Sequence, residues 1–381
     1  MHATADFAAE LANAVSLADL EALARGRVER TAWDYYRSGA WDERTLAQNE
    51  ASWKAFEVHF RGFVDVSERS TASAFFGAAV PAPLLVAPTA MQRLAHPDGE
   101  CATARASSAA GIPMCLSSLS TTPLEEVRAA TRGPLWMQIY ISADRDATRA
   151  LVARAEAAGF DGFAVTADTP VWGTRERDIR NGFRVPDGLR LPNLERAGGP
   201  TGHSGVGMAG ALSWTIDPSA NWRDFAELAA STRLPVVAKG LCRPDDCRRA
   251  LDAGAAGVWI SNHGGRQLDG APATADVLEA CASAVRGVDA GGSVIVDGGI
   301  RRGVDVLRAI ALGADTVAVG RPILWGLGAG GEAGVARALA ILQLEFDLAL
   351  ALAGVRSVAE LRELGRNLVF GSGHPTRSGA A

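Results

Sequence analysis

The sequence predicts an α/β fold, a TIM (β/α)8 barrel with an N-terminal helical cap and a long loop after the fourth strand. Three observations carry that expectation. From residue 84 onward, short β-rich apolar runs alternate with Ala/Leu/Arg-rich stretches, the signature of βαβ units and a parallel sheet. Eight such runs occur, at 84–88, 113–117, 135–140, 162–168, 235–240, 257–262, 293–299 and 316–321, and eight strands close a barrel. Nearly every run ends in polar residues, whereas an open doubly wound sheet concentrates its chemistry at one switch point.

Residues 1–75 precede the repeat and read as helical, with 17–24 and 30–36 the best segments, so they form a cap on the same domain. The barrel then occupies 76–370, and the polar residues 371–381 read as a disordered tail. Helix signals recur between the strands. Asp144 opens an apolar-periodic run that stops at Gly159, and the runs 243–253 and 303–312 end before Gly254 and Gly313, each glycine suiting a C-terminal cap. The Gly/Pro-rich stretch 186–220 is too long for an ordinary βα connection and reads as a functional loop or lid.

Composition narrows the function. The chain of 381 residues is 48% hydrophobic and 21% charged with a formal net charge of -5, which leaves no basic footprint for nucleic acid. No apolar run approaches the roughly 18 residues of a membrane span, and the N-terminus lacks a basic flank before an apolar core. A cytoplasmic protein without stable membrane association is expected. Cys101, Cys115, Cys242, Cys247 and Cys281 are odd in number and lack C-x-x-C spacing, so free thiols are expected. Lys54 and Lys239 are the only lysines, and Tyr35, Tyr36 and Tyr140 the only tyrosines.

The segment from Trp259 to Asp269 is the most informative. An apolar run ends there in a His, two glycines and an Arg, as a barrel strand delivering catalytic groups to its C-terminal loop should. His263 can take a proton near neutral pH, and Arg266 can hold a carboxylate in a two-point grip. Asp168, ending the fourth run, is placed to pair with His263 and fix its tautomer. After the seventh and eighth runs come Asp297-Gly-Gly-Ile-Arg-Arg302 and Val319-Gly-Arg321, glycines and arginines where barrels commonly bind phosphate. No G-x-G-x-x-G follows the first run, so a mononucleotide fits better than a dinucleotide. Lys239 can supply the positive charge that a flavin needs near its N1–C2=O edge, with Gln138 and Thr166 as ring partners. The other histidines show no metal-ligand spacing with His263, so no metal is expected, and no G-x-S-x-G elbow supports a serine hydrolase.

These segments, with Ala87-Pro-Thr-Ala-Met91, Gln138-Ile-Tyr140, Thr166-Ala-Asp-Thr-Pro170, Gly320-Arg-Pro322, Asp34-Tyr-Tyr-Arg-Ser-Gly-Ala40 and Asn49, resemble the FMN-dependent α-hydroxy acid oxidase/dehydrogenase family. That family includes glycolate oxidase, lactate oxidase and mandelate dehydrogenase, and the likeness covers almost the whole chain. It implies an FMN cofactor, His263 as the base with Asp168 behind it, and Tyr35, Arg175 and Arg266 on the substrate carboxylate. Tyr140 would bond the oxygen at the reacting carbon. Thr89, Ser117, Gln138, Thr166, Lys239 and Ser261 would surround the flavin ring and ribityl chain, and Asp297, Gly299, Arg301, Gly320 and Arg321 the ribityl and phosphate.

The pattern is most similar to hydroxymandelate oxidases. Leu119 stands where glycolate oxidase carries a tryptophan, which suggests room for a larger aromatic acid, and Met208 and Trp214 in the loop add apolar bulk. The implied reaction is oxidation of an (S)-2-hydroxy acid, mandelate or 4-hydroxymandelate, with O2 reduced to H2O2. Lactate or glycolate oxidation and quinone-linked mandelate dehydrogenation are the alternatives. An FMN-dependent isomerase would share the phosphate loops without requiring His263 and Arg266 beside Tyr35 and Arg175. By the same resemblance the protein is expected to be a homo-oligomer, a tetramer.

Overall fold

The structure is a computed structural model that describes residues 9–194, 215–288 and 291–371. Three short strands come first, Phe56–Val58 (β1), Ser73–Phe75 (β2) and Ala78–Val80 (β3). Eight parallel strands follow: Leu84–Val86 (β4), Met114–Leu116 (β5), Leu135–Ile139 (β6), Gly162–Thr166 (β7), Val236–Leu241 (β8), Gly257–Ile260 (β9), Ser293–Val296 (β10) and Thr316–Val319 (β11). They close into a barrel, with β11 pairing onto β4 through Val317↔Leu84 and Val319↔Val86. Closure leaves no sheet edge in the ring and removes the doubly wound alternative. Seven of the eight ladders are shorter than their apolar runs because the last residues leave them to reach the rim, whereas β8 runs one residue past its expected end, to Leu241.

Alternation along the strands then decides what faces inward. Leu85, Cys115, Trp136, Ala164, Val237, Trp259, Ile295 and Ala318 pack together as one apolar layer inside the barrel. Large and small residues share the space: a Cβ at Gly162 would lie 2.5 Å from the Trp136 ring. Two residues further along each strand the same parity points inward again, now at the C-terminal mouth. Those positions are Ala87, Ser117, Gln138, Thr166, Lys239, Ser261, Asp297 and Gly320.

The opposite end is plugged by the β2–β3 hairpin. Its two-residue turn, Phe76-Gly77, has φ of 45° and 87°, the left-handed pair that a tight hairpin with this twist demands. The turn presents Phe75 and Phe76 to Trp136 at ring-centroid distances of 5.1 and 4.5 Å. This corrects the reading of residues 1–75 as helical throughout. Helices Leu17–Arg25 (α1), Arg30–Arg37 (α2) and Arg44–Lys54 (α3) form the cap, but beyond Lys54 come the short strands β1 and β2 with irregular chain between them. There β1 pairs antiparallel with Val369–Gly371 (β12) near the end of the described chain, so Gly371 belongs to a strand and not to the tail.

The connecting helices follow their signals. In the helix Arg145–Ala158 the Asp144 side chain accepts from the Ala147 N–H at 3.0 Å, and Gly159 caps the other end at φ 86°. The last long helix, Arg321–Ala353, starts directly at Gly320 and is broken at Gly330-Gly331. Much of the expected lid, including Met208 and Trp214, lies outside the described residues. No helix of the described residues is long and apolar enough to cross a membrane, and the five cysteines are free.

Candidate active site

The mouth positions open onto a cavity whose space, counted out into its open mouth, is about 970 Å³. Of the residues singled out from sequence, all but two line it. Asp168 and Ser261 stand behind, against His263 and Lys239.

His263 leaves the end of β9 with φ 58°, a left-handed conformation that costs a β-carbon residue roughly 1–3 kcal/mol. Its backbone N–H donates to Ser261 Oγ at 3.0 Å, and Gly264 and Gly265 continue at φ 63° and 73°. Side chains at those glycines would collide: a Cβ would lie 2.8 Å from Arg321 Nη1 at Gly264 and 2.6 Å from Leu46 N at Gly265. The turn is thus held from two sides, and it carries the imidazole to Asp168, with Nδ1 at 2.8 Å from Oδ1. The carboxylate accepts from Nδ1–H, leaving Nε2 as the basic nitrogen. Room for Asp168 comes from Gly240, whose φ of 99° and missing side chain matter because a Cβ would sit 2.5 Å from Asp168 Cγ.

Burial sets the protonation. Desolvation pushes His263 below the ordinary imidazole value even though Asp168 pulls it back up, with Lys239 and Arg266 adding to the depression. The imidazole therefore rests neutral, ready to accept a proton. Asp168 is held below the usual carboxylate range: burial opposes this, but its interaction with the His263 ring, the Lys239 charge and the hydrogen bonds from His263 and Thr169 together outweigh it. Asp168 thus raises the basicity of the buried His263 ring without bringing it above the ordinary imidazole value. Its contribution grows when the ring becomes charged.

Facing this pair is a cationic pocket. Arg175 is 4% exposed, and its Nε and Nη1 are buried without a hydrogen-bond partner. Desolvation, then the neighbouring Arg266 charge, pushes it down to about 10, while Asp178 at 3.5 Å offsets part of this. Arg266 donates through Nη1 to the carbonyls of Tyr35 at 2.6 Å and Ser38 at 3.0 Å, leaving its other edge available. Both guanidiniums lie over the Tyr35 ring, at 5.7 and 4.9 Å from its centroid. A buried cation with two unsatisfied donors beside a second, half-buried cation forms a site for an anion of carboxylate size. Tyr140, whose phenol burial pushes upward, stands beside Trp172 with rings 5.4 Å apart, edge to face.

The far side of the cavity suits a flavin mononucleotide. Lys239 is buried at the end of β8, its Nζ 3.3 Å from Ser261 Oγ and 4.0 Å from Asp297 Oδ2. Gln138 donates to Thr166 Oγ1 at 3.0 Å and accepts from Ser118 N at 3.2 Å. Gly320 has only ordinary contacts, the nearest atom to a Cβ there being Thr89 Cγ2 at 3.6 Å, so an added side chain would project into the cavity. Arg301 reaches Glu50 at 2.8 Å and lies 4.7 Å over Trp325, yet its buried Nε has no partner. These groups fit FMN.

Two sequence readings need refinement here. Gly299 was read as a phosphate-loop glycine, but its backbone also packs on the cap, where a Cβ would lie 2.0 Å from Asn49 O. Arg321 donates to the carbonyls of Tyr36, Gly264 and Ser38, each at 3.0 Å, and so moors the cap to the barrel as well as lining the cavity.

A family model described as FMN-dependent dehydrogenase matches residues 24–367. The chain belongs to this family. It is 43% identical to L-lactate oxidase of Nostoc sp., over 92% of this chain and 97% of that protein. It is 45% identical to 2-hydroxyacid oxidase 1 of Homo sapiens, over 90% and 94%. Among solved structures, mandelate oxidase superposes with a TM-score of 0.85 at 41% identity, covering 91% of this chain and 97% of that one. Its cofactor is FMN, and it is an oxidoreductase of the 2-hydroxy acid class.

Sequence reasoning missed Trp172, Gly240 and Gln267. Trp172 had a signal, since it lies in the loop directly after β7. The other two act through close packing and hydrogen bonds across loops, which spacing alone does not reveal.

Proposed function

We propose that this enzyme oxidises an aromatic (S)-2-hydroxy acid, mandelate or 4-hydroxymandelate, to the 2-oxo acid and passes the electrons to O2. The observation that carries the reading is the His263–Asp168 pair set in one cavity with Arg175 donors that have no hydrogen-bond partner among the described residues. Arg175 and Arg266, with the Tyr35 hydroxyl, bind the substrate carboxylate and fix its orientation. Tyr140 donates to the oxygen on the reacting carbon. His263 Nε2 removes the hydroxyl proton as the Cα–H bond breaks, and Asp168 stabilises the imidazolium that results. Bound FMN would supply the two-electron acceptor for the Cα–H bond, with O2 as the final acceptor of those two electrons, reduced to H2O2. Lys239 places a positive charge where negative charge accumulates, which favours the forward step.

An aromatic substrate is supported by Leu119 and by the Trp172 indole edge-on to Tyr140, both lining the cavity. Steady-state comparison of mandelate, 4-hydroxymandelate, lactate and glycolate tests this reading, with peroxide measured in parallel. Preference for an aromatic acid with stoichiometric peroxide is expected. Preference for glycolate overturns the substrate, and flavin bleaching without peroxide in air overturns the electron acceptor.

A further inference from the structure

We infer that Gln267 is a positioning residue that sets the spacing between the two halves of the site, the loop after β7 and the loop after β9. This rests on the proposed carboxylate clamp. The first loop carries Asp168, Trp172 and Arg175; the second carries His263 and Arg266. Gln267 follows Arg266 directly, is buried, and does not line the cavity.

All three of its hydrogen bonds cross to the first loop. Gln267 Nε2 donates to Asp168 O at 3.1 Å and Val171 O at 3.0 Å, while Oε1 accepts from the Gly173 N–H at 3.1 Å. One amide thus grips the backbone at both ends of the six-residue segment from Asp168 to Gly173, whose first member orients the base. The two loops are also flush. A Cβ at Gly173 would lie 2.3 Å from Arg266 O and 2.7 Å from Gln267 Cα, so only glycine permits this approach. From Gly173 the chain reaches Arg175 within two residues, too short a path to absorb a shift.

The consequence is geometric coupling. Among the described residues no group accepts a hydrogen bond from Arg175 Nε or Nη1, and only the looser ion pair with Asp178 at 3.5 Å touches Nη1, so the local backbone largely aims them. A buried amide that satisfies two carbonyls and an N–H fixes that backbone, and removing it leaves three polar groups without partners. Gln267 therefore acts on the carboxylate through Arg175 and on the proton through Asp168, without touching either ligand.

The test uses FMN-loaded enzyme and benzoate, a carboxylate with no hydroxyl to oxidise, measured by titration calorimetry. Gln267→Leu should weaken benzoate binding about tenfold and slow anaerobic flavin reduction by mandelate at least about tenfold, with reoxidation by O2 within about twofold of wild type. In an Arg175→Ala background the same substitution should change benzoate affinity by less than about twofold, because the group it positions is gone. A general loss of structure would instead add its full effect there and slow reoxidation as well. Gln267→Glu keeps the side chain's size and the bond from Gly173 but loses both donations, so it covers failure of the leucine variant to fold. Benzoate affinities within twofold of wild type, or full additivity with Arg175→Ala, overturn the inference. A wild type that binds benzoate but is reduced by no 2-hydroxy acid sinks the functional reading alone, and the calorimetry still decides Gln267.

Discussion

Asp168→Asn isolates the charge behind the base while keeping the shape of the side chain. The amide can still face Nδ1, but it offers no negative charge to the imidazolium that forms when His263 accepts the substrate proton. Unit charges about 4 Å apart at an effective dielectric of about 20 interact by about 4 kcal/mol, and the 2.8 Å contact places this pair at least that close. Lost from the transition state, that interaction corresponds to about a 10³-fold slower step. Stopped-flow reduction of bound FMN by mandelate under anaerobic conditions reads it directly. The pH profile has a definite sign too. Burial already holds His263 below 6.5 and Asp168 opposes the shift, so removing the carboxylate moves the acid limb of kcat/KM to still lower pH. An asparagine variant that loads FMN and is reduced within about fivefold of wild type would refute the reasoning, as would an acid limb moved upward.

Other substitutions probe the remaining parts. Gly240→Ala sets a Cβ 2.5 Å from Asp168 Cγ at φ 99°, so flavin reduction should slow at least about tenfold while FMN content stays normal; equal rates would show that Asp168 tolerates displacement. Arg175→Met removes a buried cation that lacks partners for two of its nitrogens. Benzoate affinity should fall at least about 10²-fold, read by titration calorimetry, and the Tm of the substrate-free enzyme should fall as well, because the buried Asp178 carboxylate loses its 3.5 Å partner. Leu119→Trp should cut kcat/KM for mandelate relative to glycolate by at least about tenfold through lost volume, checked by steady-state kinetics. Since His263 folds with its pKa below the unfolded value, the unfolded state binds more protons as pH drops through 6.5. Its contribution to stability is therefore present above that pH and lost below it, a slope that His263→Gln should remove from denaturant titrations.

Most of the site was legible because barrel geometry translates a strand-end position into a place at the mouth. Gln138, Thr166, Lys239, Ser261 and Asp297 each follow an inward-facing apolar residue by two, so parity alone brings them together. The hairpin at Phe76-Gly77 was not legible as a turn, since a phenylalanine at φ 45° is tolerated there only because its ring packs on Trp136. Gly240 read as a strand end until Asp168 was seen to occupy the space of its missing side chain. Gln267 was invisible for a similar reason, as its partners are backbone atoms nearly a hundred residues away. Arg321 shows the reverse: its position was correct, but three carbonyls of the cap and the His263 loop share it.

The central claim, that His263 is the base in a flavin-dependent 2-hydroxy acid oxidation, is tested most directly by one anaerobic mixing experiment on wild type and His263→Ala, both loaded with FMN. Wild-type enzyme should lose its yellow absorbance on addition of (S)-mandelate, and the alanine variant should keep FMN yet bleach at least about 10³-fold more slowly. Near-normal bleaching by the variant would contradict the account.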